Sequence, residues 1–176
     1  MKCKPVQWMC ILILTVIFGG CSATIKTEVK NQKLVQESLQ QFIDQKKILE
    51  TLYQYTYNFD GKKPDKFAEL FIENAVWEIF PRGAEKPRFS FTSREQLKDF
   101  VSKRFKTVLA DRQTQHYLTN TVFLELTDDF ARTQSAVLVV HKIKGEKQLK
   151  VINSTIYKDE FIKTKDGWKF SRHLAM

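Results

Sequence analysis

Two side chains in this sequence stand out for proton chemistry, His116 and Asp60. Histidine changes charge nearest neutral pH, so one that lines a cavity can take a proton and return it. Read as a strand, the stretch QTQHYLTNTVFLEL over 113–126 has a period of two. That puts His116, Leu118, Asn120, Val122, Leu124 and Leu126 on one face. Four of those six are aliphatic, so this face is expected to be the buried one. His116 and Asn120 then look inward, either as hydrogen-bonded core polars or as polar groups of a pocket. Asp60 precedes Gly61 at the end of an amphipathic stretch. It is a candidate general base, or a turn former of the kind that aspartate beside glycine supplies. His141 and His173 fall in strand-like segments and are assigned to structure or surface.

Other chemistries are excluded by what the chain lacks. Its cysteines are Cys3, Cys10 and Cys21, so the long body after them holds no disulfide, thiol nucleophile or thiolate metal site. No two histidines share helical i, i+4 spacing and there is no His-x-His, so no metal is expected. Glycine-rich phosphate loops and a serine elbow are absent as well, and no cofactor is implied. The formal charge of +9 falls to +7 without Lys2 and Lys4. Basic residues are scattered, with no run longer than a pair and no interleaved aromatics, which argues against nucleic acid. Tyr55, Tyr57, Trp77 and Tyr157 recur at helix and strand spacing as wall residues, core by default and ligand-binding if a pocket exists. Arg172, in the last strand, either pairs with an inward carboxylate or stands at a rim.

These residues must be positioned by a body that follows an export signal. Residues 1–5 carry two lysines, 6–18 are almost wholly apolar, and small residues lead to Cys21. That is a secretory signal whose apolar core is too short to span a membrane. Phe18-Gly19-Gly20-Cys21 resembles the bacterial lipobox, in which the cysteine is acylated and becomes the first mature residue; Phe18 departs from the usual leucine. The division expected is 1–20 signal peptide, 21–43 lipidated cysteine and tether, and 44–176 domain. Ser22 after the cysteine resembles the outer-membrane pattern of Gram-negative bacteria, which would face the domain to the periplasm.

Within the body, Asp44 is a plausible N-cap for a helix in which Ile48, Leu52, Tyr55 and Phe59 form the apolar stripe. A short helix over 65–72, a strand over 75–80 and a return strand over 89–91 follow. Thr92 and Glu95 have capping-box spacing ahead of a second helix with Leu97, Phe100, Val101, Phe105 and Val108. From there the period is two, giving strands over 114–126, 131–143, 149–161 and 168–173, joined by short turns. Helices first and an antiparallel meander after them make an α+β fold. Helices over the concave face of a curved sheet leave a cone whose interior suits a small molecule.

Four segments carry a family likeness: Tyr55 to Asp60 with Phe67-Ala68-Glu69-Leu70-Phe71; Glu73-Asn74-Ala75-Val76-Trp77; Thr114-Gln115-His116 through Asn120; and Tyr157-Lys158-Asp159 with Asp166-Gly167-Trp168. Through them the chain resembles the SnoaL-like branch of the nuclear transport factor 2-like superfamily. The likeness implies a cone-shaped α+β barrel and, in that superfamily, frequent pairing of two copies through the exposed sheet. Within it the chain looks most like the scytalone dehydratase type, by which Asp60 and His116 would be the acid/base pair. The second pocket histidine of that type falls near Asn153 or Thr155 here, and the tyrosine before its aspartate is Phe59. Two readings follow. One is an envelope-anchored binding domain whose cone holds a small apolar or aromatic molecule or a partner protein. The other is a cofactor-free lyase or isomerase using Asp60 and His116.

Overall fold

Ile48, Leu52 and Tyr55 recur every three to four residues, and all three are buried. They lie near the end of α1 (Ile11–Asp60). The computed structural model describes residues 11–176, with side chains from 28 onward, and divides into two units, Met1–Phe42 and Ile43–Met176. The start of the expected export signal and the Cys21 side chain lie outside the described residues. In the second unit, α1 is followed by α2 (Pro64–Ala68), β1 (Phe71–Ile79), β2 (Phe89–Phe91) and α3 (Arg94–Lys106). Four long strands complete it: β3 (Arg112–Leu126), β4 (Phe130–Ile143), β5 (Lys150–Thr164) and β6 (Gly167–Ala175).

All six strands join one sheet in the order β2-β1-β6-β5-β4-β3. Every neighbour is antiparallel except β1 and β6, which run parallel. The fold is therefore α+β, with the helix against a curved mixed sheet. Its core packs Ile48 and Leu52 of α1 and Leu97 and Val101 of α3 against Phe67, Phe71, Phe161 and Phe170. Gly145 (φ 87°) and Gly167 (φ 105°) take left-handed conformations in the β4–β5 and β5–β6 turns. Gly61 is needed for space instead: a Cβ there would meet the Tyr57 carbonyl oxygen at 2.8 Å. The positive φ at this helix end falls on Lys62.

Three local expectations are corrected. Asp44 is not an N-cap, because it lies inside α1 and is buried. Trp168 Nε1 donates to its Oδ1 at 2.8 Å and Lys163 Nζ to its Oδ2 at 2.8 Å, so a solvent-shielded carboxylate anchors the β5–β6 hairpin. The cap of α3 shifts by one residue. Ser93 Oγ accepts from Gln96 N, and Gln96 Oε1 accepts from the Thr92 N–H, since Ser-x-x-Gln has the same spacing as Thr-x-x-Glu. The face reading of β3 holds for His116, Leu118 and Leu126 but fails between them, at Asn120, Val122 and Leu124. Pairing with β4 slips between Thr119 and Val122, where Asn120 adopts φ 52°. This bulge turns Val122 and Leu124 outward and brings Thr121 and Phe123 to the packed side.

Candidate active site

Asp60 closes α1 and His116 follows the buried Thr114 on the inward face of β3, and the fold brings them together. His116 Nδ1 lies 2.6 Å from Asp60 Oδ1. The Thr114 hydroxyl donates to the same oxygen at 2.7 Å, and the His116 backbone N–H donates to Oδ2 at 2.8 Å. An ionised carboxylate only accepts, so Nδ1 carries the proton and Nε2 is the nitrogen left for proton transfer. Phe59 stands edge-on to the imidazole, with centroids 5.0 Å apart, and fixes the ring plane. Burial alone would raise the Asp60 pKa. The His116 hydrogen bond and charge, the Thr114 hydroxyl and the His116 N–H outweigh it and hold the carboxyl below its ordinary value of 3.8. A lowered folded-state pKa gives stability that is complete above the unfolded value and lost as pH falls through the folded one. Asp60→Asn is therefore expected to melt below wild type at pH 7, with the gap closing as pH falls below about 3.8. Equal gaps at pH 7 and pH 2.5 in thermal unfolding would contradict this.

His116 lines a cavity of about 190 Å³. Tyr55, Phe59, Trp77, Phe100 and Tyr157 supply much of its aromatic wall, while Asn153 and Thr155 border it from β5. The second pocket histidine comes from β4 rather than β5. His141, expected at structure or surface, is 8% exposed and lines the same cavity. Its Nδ1 has no hydrogen-bond partner. Burial, then the charges of Arg112 and His116, push its pKa down, so it stays neutral near pH 7.

His173 is also corrected: it is 1% exposed and sits in a buried chain that reaches the cavity wall. Trp77 Nε1 donates to Tyr55 Oη at 3.2 Å, Tyr55 Oη meets His173 Nε2 at 3.1 Å, and His173 Nδ1 meets Asp159 Oδ1 at 2.6 Å. Burial pushes the Tyr55 phenol up, so it remains a donor to Nε2. Burial also raises Asp159, against the lowering effect of the imidazole beside it. These four groups tie β1, α1, β6 and β5 together at the cavity wall.

Of the wall residues read from the sequence, Tyr55, Trp77 and Tyr157 line the cavity. Tyr57 does not: it is 71% exposed, because two residues along a helix from Tyr55 is a turn of about 200°. Asn120 stands on the exposed bulge rather than the wall. Arg172 pairs with Glu78 at 3.3 Å away from the cavity, the ion-paired rim position. The sequence reading missed Arg104, whose half-buried guanidinium lines the cavity 5.4 Å from the Phe100 ring centroid.

Comparisons with known proteins agree with this architecture. No curated protein matches the chain. Among solved structures, a proposed scytalone dehydratase from Novosphingobium aromaticivorans shares 23% identity with a TM-score of 0.66, over 78% of this chain and 86% of that one. An NTF2-like protein with a cystatin-like fold from the same organism shares 16% with a TM-score of 0.68, over 80% and 86%. ActVI-ORFA from Streptomyces coelicolor shares 16% with a TM-score of 0.62, over 74% and 91%. At such identities the likeness establishes the fold. The SnoaL-like domain family itself matches residues 40–173, nearly all of the helix-and-sheet body, and the chain belongs to that family.

Proposed function

We propose that the domain is a cofactor-free acid/base catalyst of the lyase or isomerase class, acting on a small ring-bearing molecule held in its cavity. One observation carries this reading: an imidazole whose Nδ1 is held by Asp60 at 2.6 Å lines an aromatic-walled cavity. Nε2 takes a proton from the carbon beside a carbonyl, and the imidazolium returns it. Returned to a departing hydroxyl it yields water and a new carbon–carbon double bond; returned to another carbon it yields an isomer. Asp60 fixes the tautomer and balances the charge. The sequence favours ligand binding over turnover because its acid/base set looks thin. The dyad and the second cavity histidine favour turnover, for which binding is the first step.

A cavity of about 150 Å³ admits benzene, so about 190 Å³ suits one or two rings. 2-Tetralone, a two-ring ketone, tests the reading. In D2O its carbonyl-adjacent protons are expected to exchange faster with the full chain than in buffer, followed by NMR. Exchange at the buffer rate argues against proton transfer.

The domain is further proposed to be held at the bacterial envelope by acyl chains on Cys21, supported by the signal pattern before it. Each buried methylene contributes about 0.8 kcal/mol, so several chains anchor the protein durably. Cys21→Ser is expected to move it from the membrane fraction to the soluble one; unchanged fractionation contradicts the anchor.

A further inference from the structure

The chain has seven arginines. Four meet a carboxylate: Arg94 with Glu73, Arg112 with Asp111, Arg132 with Glu125 and Glu160, and Arg172 with Glu78. Arg82, Arg88 and Arg104 have no such ion pair among the described residues, and all three line one groove. That groove is the cavity's mouth, since Ile79, Phe89, Arg104, Ile152, Asn153 and Thr155 border both spaces. The guanidinium carbons of Arg88 and Arg104 lie 5.5 and 5.6 Å from the Phe89 ring centroid, so one ring holds two cations near each other. Arg82 and Arg88 are exposed, whereas Arg104 is half-buried. Burial and the charge of Arg88 both disfavour the Arg104 cation. Met176 also borders the groove, with its main-chain oxygen taken by Thr155 Oγ1 at 2.6 Å. Neighbouring cations that form no ion pair among the described residues, one of them partly desolvated, are the arrangement that an incoming anion stabilises.

We infer that the cavity's ligand is a carboxylate, a one- or two-ring acid whose rings lie among Trp77, Phe100 and Tyr157 and whose carboxylate ends on Arg104. The planar guanidinium fork matches a carboxylate in two parallel hydrogen bonds. Arg82 and Arg88 draw the anion to the mouth and stay in water. The inference rests on the proposed small-molecule site and adds the charge of what that site holds.

Calorimetric titration of the full chain with 2-naphthoate and with 2-naphthamide tests it, since the two differ in charge and little in shape. Naphthoate is expected to bind about tenfold or more tightly than the amide, the preference that one charge-assisted hydrogen bond supplies. Arg104→Gln is expected to abolish the preference by weakening naphthoate alone, and Arg88→Gln, at an exposed position, to reduce it. Arg104→Lys keeps a charge without the fork and should fall between. Equal binding of acid and amide to wild type overturns the carboxylate inference and leaves the pocket standing. So does an Arg104→Gln variant that loses both ligands equally. Binding of neither compound removes the inference and the small-molecule site together.

Discussion

His173→Leu is expected to lower the unfolding free energy by about 3–5 kcal/mol, measured by urea denaturation. The substitution leaves Asp159 as a fully buried carboxylate whose Oδ1 has lost its partner at 2.6 Å, while Oδ2 has none to begin with. It also strips the Tyr55 hydroxyl of its acceptor. Domain stabilities of about 5–15 kcal/mol make this a large share of the total. Asp159→Leu in the same chain is expected to restore part of the loss, because a pair of apolar side chains carries no desolvation penalty. If single and double variants unfold at the same urea concentration, the uncompensated charge is not the cause.

His116→Asn is expected to slow exchange into 2-tetralone by about 10²–10⁴-fold, the usual contribution of a positioned acid/base group. Asparagine retains a donor for Asp60 and cannot cycle a proton. Affinity for 2-naphthoate should stay within a few-fold, which separates lost chemistry from a collapsed cavity. Should exchange survive in His116→Asn, the base is another group, and His141 is an imidazole on the same cavity.

Much of this was legible in the residues. Period-two alternation and turn residues locate the four long strands to within a few positions, and the helical stripe of Ile48, Leu52 and Tyr55 reports the packed face of α1. His141 was legible too, for it continues the buried series Ala131, Thr133, Ser135, Val137 and Val139 at spacing two. By sequence it is assigned to structure or surface, while the resemblance puts the second pocket histidine near Asn153 or Thr155, which stand on the next strand. His173 was less accessible. Counting across the β5–β6 turn places it opposite Lys158 in a regular ladder, and a one-residue slip between Glu160 and Phe161 makes Asp159 its partner. The bulge at Asn120 defeats the face reading of β3 for the same reason: a single added residue inverts Val122 and Leu124, until a second slip between Phe123 and Glu125 returns Leu126 to the packed side. The proximity of Asp60 and His116, 56 residues apart in the chain, follows from tertiary packing and came from family resemblance alone.

The parallel pairing of β1 with β6 bears on the order in which the molecule can be built. β6 is the last strand in sequence yet lies in the middle of the sheet, between β1 and β5. Until residues 167–175 emerge during synthesis, the β1–β2 hairpin and the β3–β5 meander are two halves without a shared edge. One half carries Trp77, the other carries His116 and His141, and the joining strand itself brings His173. A nascent chain can form its helices and hairpins early, but the cavity exists only once the final strand has slotted in. Assembly of the site is thereby tied to the synthesis of β6.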